Sequence, residues 1–333
     1  IAPDRPGVTA KVTNVLLDGC LINSRVSKLF HNYKYEYKLF NKMGILEHFN
    51  KHKGQPIGKV YDTMIAAYLL GEEQLGLKAL SRKHLGWDMP SAKMLLNEAQ
   101  AKNDSQWLSQ VGGTKITPKL TKQFGKPPVA TMLDVPPEKL IPYAAGDAVA
   151  TLLLWQKFEP QLHELGLWRI MEMESALTPM LADMEIKGVG IDVDYLQKLK
   201  TEWTVEAESI KAKYPINLNS GQQIAEYMEA QGMPLLATTD TGLASTSKES
   251  LAIYGDRPFV VDLLRYKETA KLISTYTNSI INRVVDGRIH PEWNQVRGDS
   301  EDWRGATKTG RLSSSNPNFQ NLPVRRDEGM KVR

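Results

Sequence analysis

Two pairs of side chains in the N-terminal half are spaced for chemistry. Asn32 and Glu36 lie four residues apart, as do Tyr143 and Asp147. Within a helix each pair would share a face. Two carboxylates from distant segments, with a phenol beside them, could hold a divalent ion and orient a water. Two-metal phosphodiester hydrolysis needs such oxygen ligands, an activated water and a stabilised leaving oxygen. On spacing alone, surface acids and a core tyrosine are the commoner explanation. A second group lies near the end of the chain, where Thr309–Arg325 reads TGRLSSSNPNFQNLPVR. It is dense in amides and hydroxyls and contains prolines that forbid a long helix. From Arg304 to Arg333, seven Lys/Arg stand against two acids. An extended basic strip suits a polyanion, because Arg and Lys meet phosphates while Asn, Gln and Ser reach sugars and groove edges. A solvated loop is the plainer reading of the same composition.

The elements that must position these residues are partly visible in the pattern. Ser27–Phe30 reads as a short strand, and Tyr37–Met43 as an amphipathic helix stopped by Gly44. Asn14–Leu21 reads as the end of an earlier helix. Asp62-Thr63 caps an apolar helix over Ile65–Leu70, and Leu77–Leu80 opens another. Residues 86–132 read as an insertion, with a helix near Ser91–Asn103 and a loop around Gly112–Pro128. Pro136-Pro137 starts a helix that Pro142 restarts or kinks. Beyond Leu167 long helices take over. Ile170, Met173, Leu177, Met180 and Met184 form a first apolar stripe, ended by Gly188. Asp192 is an N-cap for a second stripe of Leu196, Leu199, Trp203 and Ile210. Asn217–Ser220 leads into a helix over Gln222–Ala230. Leu263, Tyr266, Ala270, Ile273, Thr277 and Ile280 form a third stripe. Arg288–Gln295 turns extended.

The chain has 333 residues, 41% hydrophobic and 24% charged, which is ordinary globular composition with room for two or three domains. A net charge of +4 requires any nucleic-acid site to come from local clustering. The single Cys20 excludes an internal disulfide framework and fits a reducing, cytoplasmic setting. No apolar run approaches the ~18 residues of a membrane span.

The order of residues says more than their composition. The seventeen residues Thr309–Arg325 closely resemble the strip that enters the palm of family A DNA polymerases, the bacterial DNA polymerase I type. By that resemblance, Arg311 matches the arginine that reaches the minor groove at the primer terminus. Asn318, Gln320 and Asn321 match amides near duplex and template, and Arg325 matches an arginine near the incoming nucleotide. Thr307 and Lys308 could add phosphate contacts. Lys271–Tyr276 resembles the thumb element K-L-x-S-T-Y, which places Lys271, Ser274, Thr275 and Tyr276 against the duplex backbone. Asn217–Ser220 resembles the thumb element N-L-x-S, with Asn219 and Ser220 near primer phosphates, and Ala244–Ser247 fits an S-T-S segment. Asn32-x-x-x-Glu36 and Tyr143-x-x-x-Asp147 resemble the second and third motifs of DEDD 3′–5′ exonucleases. The resemblance makes Glu36, Tyr143 and Asp147 catalytic, Glu36 and Asp147 metal ligands, and Asn32 a DNA contact. The family's second motif ends in Asp where this chain has Glu36, and its D-x-E first motif has no counterpart before Asn32.

The resemblance implies an α/β N-terminal domain of ribonuclease-H-like 3′–5′ exonuclease fold, then a mainly α-helical thumb and the edge of an α+β palm. The expected boundaries are 1–165 (with the 86–132 insertion), 166–287 and 288–333, in a fragment that stops before the palm acids. The implied protein extends a primer on a DNA template, from a bacterium or a phage-infected host. It uses Mg²⁺ or Mn²⁺, takes deoxynucleoside triphosphates in its full-length form, and is monomeric and not membrane-bound. Two other readings stay open: a stand-alone DEDD-type exonuclease, and a non-catalytic DNA-binding module on a degenerate exonuclease fold.

Overall fold

The computed structural model describes residues 21, 23, 25–45, 58–238, 242, 244–296, 310–322 and 327–332. The expected helix end over Asn14–Leu21 falls almost wholly outside them. The chain divides into two compact units, residues 1–186 with 293–313, and residues 187–292 with 314–333.

In the first unit, β1 (Lys28–Phe30) and β2 (Val60–Asp62) pair in parallel, with Leu29 opposite Tyr61 and Phe30 opposite Asp62. Helix α1 (Tyr33–Lys42) leaves the end of β1, four residues earlier than the sequence pattern places it. The reason is tertiary. Asn32 takes a left-handed conformation at the N-cap and its own side chain makes no cap bond. The Asp62 carboxylate, arriving from β2, accepts the N–H groups of Asn32 (2.9 Å) and Tyr33 (2.7 Å) instead. The same carboxylate caps α2 (Thr63–Leu69), accepting from Met64 N at 2.8 Å, as the Asp62-Thr63 pair foretells.

Five consecutive residues of α2, Thr63–Ala67, are buried, so this helix is enclosed all round. It packs with α3 (Leu77–Leu85) and with α6 (Pro137–Glu164), whose Leu154, Phe158 and Leu162 recur every four residues on the buried face. Tyr61 stacks on Trp155 at 4.7 Å. Helix α6 runs unbroken past Pro142 and Pro160. The 86–132 segment holds α4 (Ala92–Val111) and α5 (Pro118–Phe124), the latter inside the stretch expected to be loop. Thr117 caps α5 through Leu120 N, and Pro118 fills its first turn. Leu95 and Ala99 of α4 pack on Val135, with Leu140 and Tyr143 alongside, so the segment is seated on the start of α6.

Helix α7 (Trp168–Lys187) corrects the first apolar stripe. Ile170, Met173, Met180 and Met184 are exposed, while Met171, Ser175, Thr178, Leu181, Ala182 and Glu185 are buried. Polar bonding turns the helix. Thr178 Oγ1 donates to Gln295 Oε1 at 2.9 Å, Gln295 Nε2 donates to Glu174, and Glu185 takes two lysines. Satisfied polar groups can enter a core that apolar periodicity reserves for methionines.

In the second unit, β3 (Val189–Gly190) pairs antiparallel with β4 (Arg288–Ile289). Between them come α8 (Val193–Lys211), α9 (Gly221–Ala230), α10 (Lys248–Leu251), α11 (Pro258–Lys271) and the short α12 (Ser279–Ile281). Short strands β5 (Glu292–Asn294) and β6 (Ser313–Ser315) straddle the residue boundaries of the units, and helix α13 (Asp327–Val332) follows in the second. Asp192 caps α8 through Tyr195 N at 2.9 Å, and Leu196, Leu199, Trp203 and Ile210 are buried as the spacing requires. The third stripe is buried at Leu263, Tyr266, Thr277 and Ile280, but the backbone changes beneath it. After α11 it widens into π-helix over Leu272–Asn278, where the buried Leu272 and Thr277 are five apart. Thr277 Oγ1 donates to Ile273 O at 2.8 Å, a side-chain bond that competes for the helix ladder.

Gly188, between α7 and β3, has φ +65°, and a Cβ there would meet Ile289 O at 2.7 Å and His290 Nδ1 at 2.8 Å. Gly188→Ala combines left-handed strain with a clash against a backbone carbonyl. It should lower unfolding free energy by about 2–3 kcal/mol in a urea titration. A loss below about 0.5 kcal/mol would refute the crowding.

Candidate functional site

The first unit holds the carboxylates. Asp62 is buried, and burial pushes its carboxyl up even though the N–H groups of Asn32, Tyr33, Met64 and Ile65 pull the other way. Glu36, in the first turn of α1, has Oε2 buried without a hydrogen-bond partner. Burial lifts its pKa from the usual 4.5 to about 7, its own backbone N–H opposes this, and the Asp62 charge adds to the rise.

Tyr143 and Asp147 lie one turn apart on α6. Both are partly buried, and burial followed by the Asp147 charge raises the Tyr143 phenol. The neighbour absent from the sequence reading is Lys78 of α3. Its ammonium is ion-paired to Asp147 Oδ1 and lies 4.5 Å from the Tyr143 ring centroid. His31 is close by, with Nδ1 2.9 Å from Thr63 Oγ1. Burial drops the His31 pKa to about 4, a backbone hydrogen bond at Leu75 opposes this, and the Lys78 charge adds to the drop.

The structure thus brings Tyr143 and Asp147 together with Lys78, while Glu36 sits on α1, the helix whose start Asp62 caps. Among the described residues, no three His, Cys, Asp or Glu side chains converge in a group that could hold a metal ion. The divalent ion implied by the exonuclease motifs does not fit the side chains as they stand, because an ammonium already occupies Asp147.

The buried Glu36 carboxyl has a readable consequence. Its pKa is raised on folding, so the native state holds its proton more firmly than the unfolded state. Its stabilising contribution is complete below 4.5 and is lost as pH rises through about 7. Allowing for its partial exposure, Glu36→Gln should stabilise the chain by about 1–2 kcal/mol near pH 8 and by almost nothing near pH 4. Urea midpoints at both pH values test this, and equal gains at both would refute it.

The second unit carries an open cleft of about 650 Å³. One wall is the π-helical stretch and the residue before it, with Lys271, Thr275 and Tyr276. The other is the C-terminal strip, with Asn318, Phe319 and Asn321. The widened turn sets Lys271, Ser274 and Thr275 in exposed positions. Tyr276 OH donates to Asn321 O at 3.1 Å, which ties the walls together. Asn318, Gln320 and Asn321 are exposed. Asn318 Oδ1 accepts from Gln320 N at 3.0 Å and starts the 3-10 turn Phe319–Asn321. Ser314 Oγ accepts from Phe319 N at 3.2 Å and braces the strip.

The basic residues of α11 have separate fates. Arg265 is held by Glu206 at 2.6 and 3.0 Å, and Lys267 donates to Thr246 O at 2.7 Å, where burial lowers its pKa. Lys271 makes no ion pair among the described residues. Asn219 and Ser220 have structural jobs: Asn219 Nδ2 donates to Tyr266 OH at 2.9 Å, and Ser220 caps α9 through Gln223 N. Arg283, outside every motif, and Asn316, within the Thr309–Arg325 strip but without an expected role, also line the cleft. Arg311, in the first unit, is exposed. Thr307, Lys308 and Arg325 lie outside the described residues.

Residues 8–163 match the 3′–5′ exonuclease domain family, and residues 193–333 match DNA polymerase family A. The chain belongs to the family A DNA polymerases. It is 31% identical over 334 residues to DNA polymerase I of Chloroflexus aurantiacus, covering 93% of this chain and 30% of that protein. It is 31% identical over 330 residues to DNA polymerase I of Rhizobium leguminosarum, covering 95% and 28%. It is 38% identical over 201 residues to the thermostable DNA polymerase I of Thermus filiformis, covering 57% and 23%. The chain therefore spans less than a third of these family members. Its fold is shared by the POL domain of Pol1 from M. smegmatis in complex with DNA primer-template and dNTP. The TM-score is 0.65 and the identity 23%, over 98% of this chain and 48% of that one. No helix among the described residues is long and apolar enough to cross a membrane.

Proposed function

We propose that this chain is the duplex-holding portion of a DNA-directed DNA polymerase that extends a primer on a DNA template. The observation that carries the reading is the cleft of the second unit, where Lys271, Thr275 and Tyr276 face the amides of Asn318 and Asn321. An exposed ammonium, hydroxyls and carboxamides suit phosphate, sugar and groove-edge atoms, without dependence on base sequence. Ser274 and Gln320 are read as further duplex contacts, and Arg311 as addressing the primer end. Asn32, Asn219, Ser220, Thr307 and Lys308 remain further DNA contacts in this reading, and Arg325 serves the incoming deoxynucleoside triphosphate. Mg²⁺ or Mn²⁺ belongs to the nucleotidyl-transfer chemistry of the full-length protein. Residues 1–165 are read as a ribonuclease-H-like exonuclease domain, 166–287 as the start of the polymerase domain and thumb, and 288–333 as the palm edge, in a cytoplasmic monomer.

Lys271→Ala tests the grip. Binding of the chain to a fluorescent primer–template duplex, followed over a salt series, should lose about one phosphate contact, flattening the log–log slope by about 0.9. An unchanged slope would place Lys271 off the DNA. The Lys78–Asp147 pair favours a second reading for the first unit alone, a DNA-binding module on a degenerate exonuclease fold.

A further inference from the structure

We propose that Lys78 is a built-in counter-cation that occupies the metal-facing carboxylate of the Tyr143/Asp147 motif, making this pocket a site that excludes divalent ions. The ammonium comes from α3, 69 residues away in sequence, and meets Asp147 where both side chains are only 27% and 30% exposed. It also lies against the Tyr143 ring at 4.5 Å, so both motif side chains hold the same cation. A divalent ion approaching Asp147 would have to displace that ammonium or accept a like charge at contact distance, in a partly desolvated place where repulsion is poorly screened.

Among the described residues, the other groups of the first unit give a divalent ion little in return. Asp62 has spent its oxygens on backbone N–H groups of Asn32, Tyr33 and Met64. Glu36 has one buried oxygen without a hydrogen-bond partner. Thr63 Oγ1 donates to Phe30 O at 3.1 Å, and His31 is packed against it. A single fixed positive charge balances Asp147 with no ligand field to complete, which suits a site kept for its shape rather than for hydrolysis.

The test is Mn²⁺ binding to the intact chain near neutral pH, followed by the EPR signal of free Mn²⁺. The chain should show no saturable site tighter than about 1 mM. Lys78→Gln should bind Mn²⁺ at least about tenfold more tightly, and Lys78→Gln with Asp147→Asn should lose that gain. A tight site in the unaltered chain that Asp147→Asn removes would overturn the proposal. So would Lys78→Gln that folds and binds no better. Should Lys78→Gln fail to fold, ¹⁵N NMR of the lysine ammonium groups in the unaltered chain decides. A Lys78 signal unmoved by millimolar Mg²⁺ supports the lock, and one released by Mg²⁺ refutes it.

Discussion

Asp62→Ala should destabilise the first unit by about 3–5 kcal/mol, measured as the change in urea unfolding free energy. One carboxylate serves the starts of two helices. Oδ1 accepts from Asn32 N and Met64 N, and Oδ2 accepts from Tyr33 N at 2.7 Å. The side chain is 3% exposed, so water cannot replace it without opening β2. Each buried N–H left without an acceptor costs about 1–3 kcal/mol, and two caps are lost together. The neighbourhood relaxes somewhat, which keeps the total below the sum. Asp62→Asn should cost only about 1–2 kcal/mol, because its one carbonyl oxygen can still accept while its NH₂ faces a donor. If alanine and asparagine cost the same, Asp62 is not the shared cap described here.

The cap was legible, but its reach was not. Asp62-Thr63 ahead of an apolar run announces an N-cap from sequence, and the structure places Asp62 there. That the same oxygens also start α1 depends on the parallel register of Phe30 with Asp62, which no local pattern encodes. This is why the predicted helix began at Tyr37 while the chain begins it at Tyr33. The stripe of α8 is buried at all four expected positions because a single apolar face decides its orientation, whereas on α11 burial falls on Leu263, Tyr266 and Thr269 and not on Ala270. On α7 the same rule picked the wrong face, because Thr178 and Glu185 are drawn inward by Gln295, Lys34 and Lys38. Bonds spanning more than 100 residues have no signature at helical spacing. The candidate sites follow the same division. The motif residues Tyr143 and Asp147 are one turn apart on a helix and were visible as a pair. Lys78 was invisible, being one lysine in an unremarkable L-K-A-L run. The cleft residues Lys271 and Asn318 were recognised from the order of residues in two strips. Their meeting in one cleft is a property of the folded second unit.

Glu185→Ala should cost about 3–5 kcal/mol, as expected when one partner is removed from a buried ion network. Glu185 is 5% exposed and accepts from three donors: Lys34 Nζ at 2.7 Å, Lys38 Nζ at 2.8 Å and Trp293 N at 2.8 Å. Lys34 Nζ also donates to Trp293 O at 2.6 Å, so deleting the carboxylate loosens α1, α7 and the Trp293 segment together. Burial alone would raise the Glu185 carboxyl. The Lys34 charge, the two lysine hydrogen bonds and the Trp293 N–H outweigh it and hold the pKa below 4.5. The sign follows: this stabilisation is present above the ordinary carboxylate pKa and is lost as pH falls through the depressed one. Glu185→Ala should therefore flatten the acid limb of the pH–stability profile as well as lower its plateau. Lys34 is 15% exposed and Lys38 39%, so Lys34 should carry most of the coupling in a double-mutant cycle. Lys34→Met with Glu185→Leu should recover much of the loss, since apolar packing can replace the buried Lys34–Glu185 pair and the Lys38 ammonium left over is exposed enough for water to solvate. A double variant as unstable as Glu185→Ala alone would mean that the Trp293 N–H, and not the lysine charge, is what the carboxylate is there to hold.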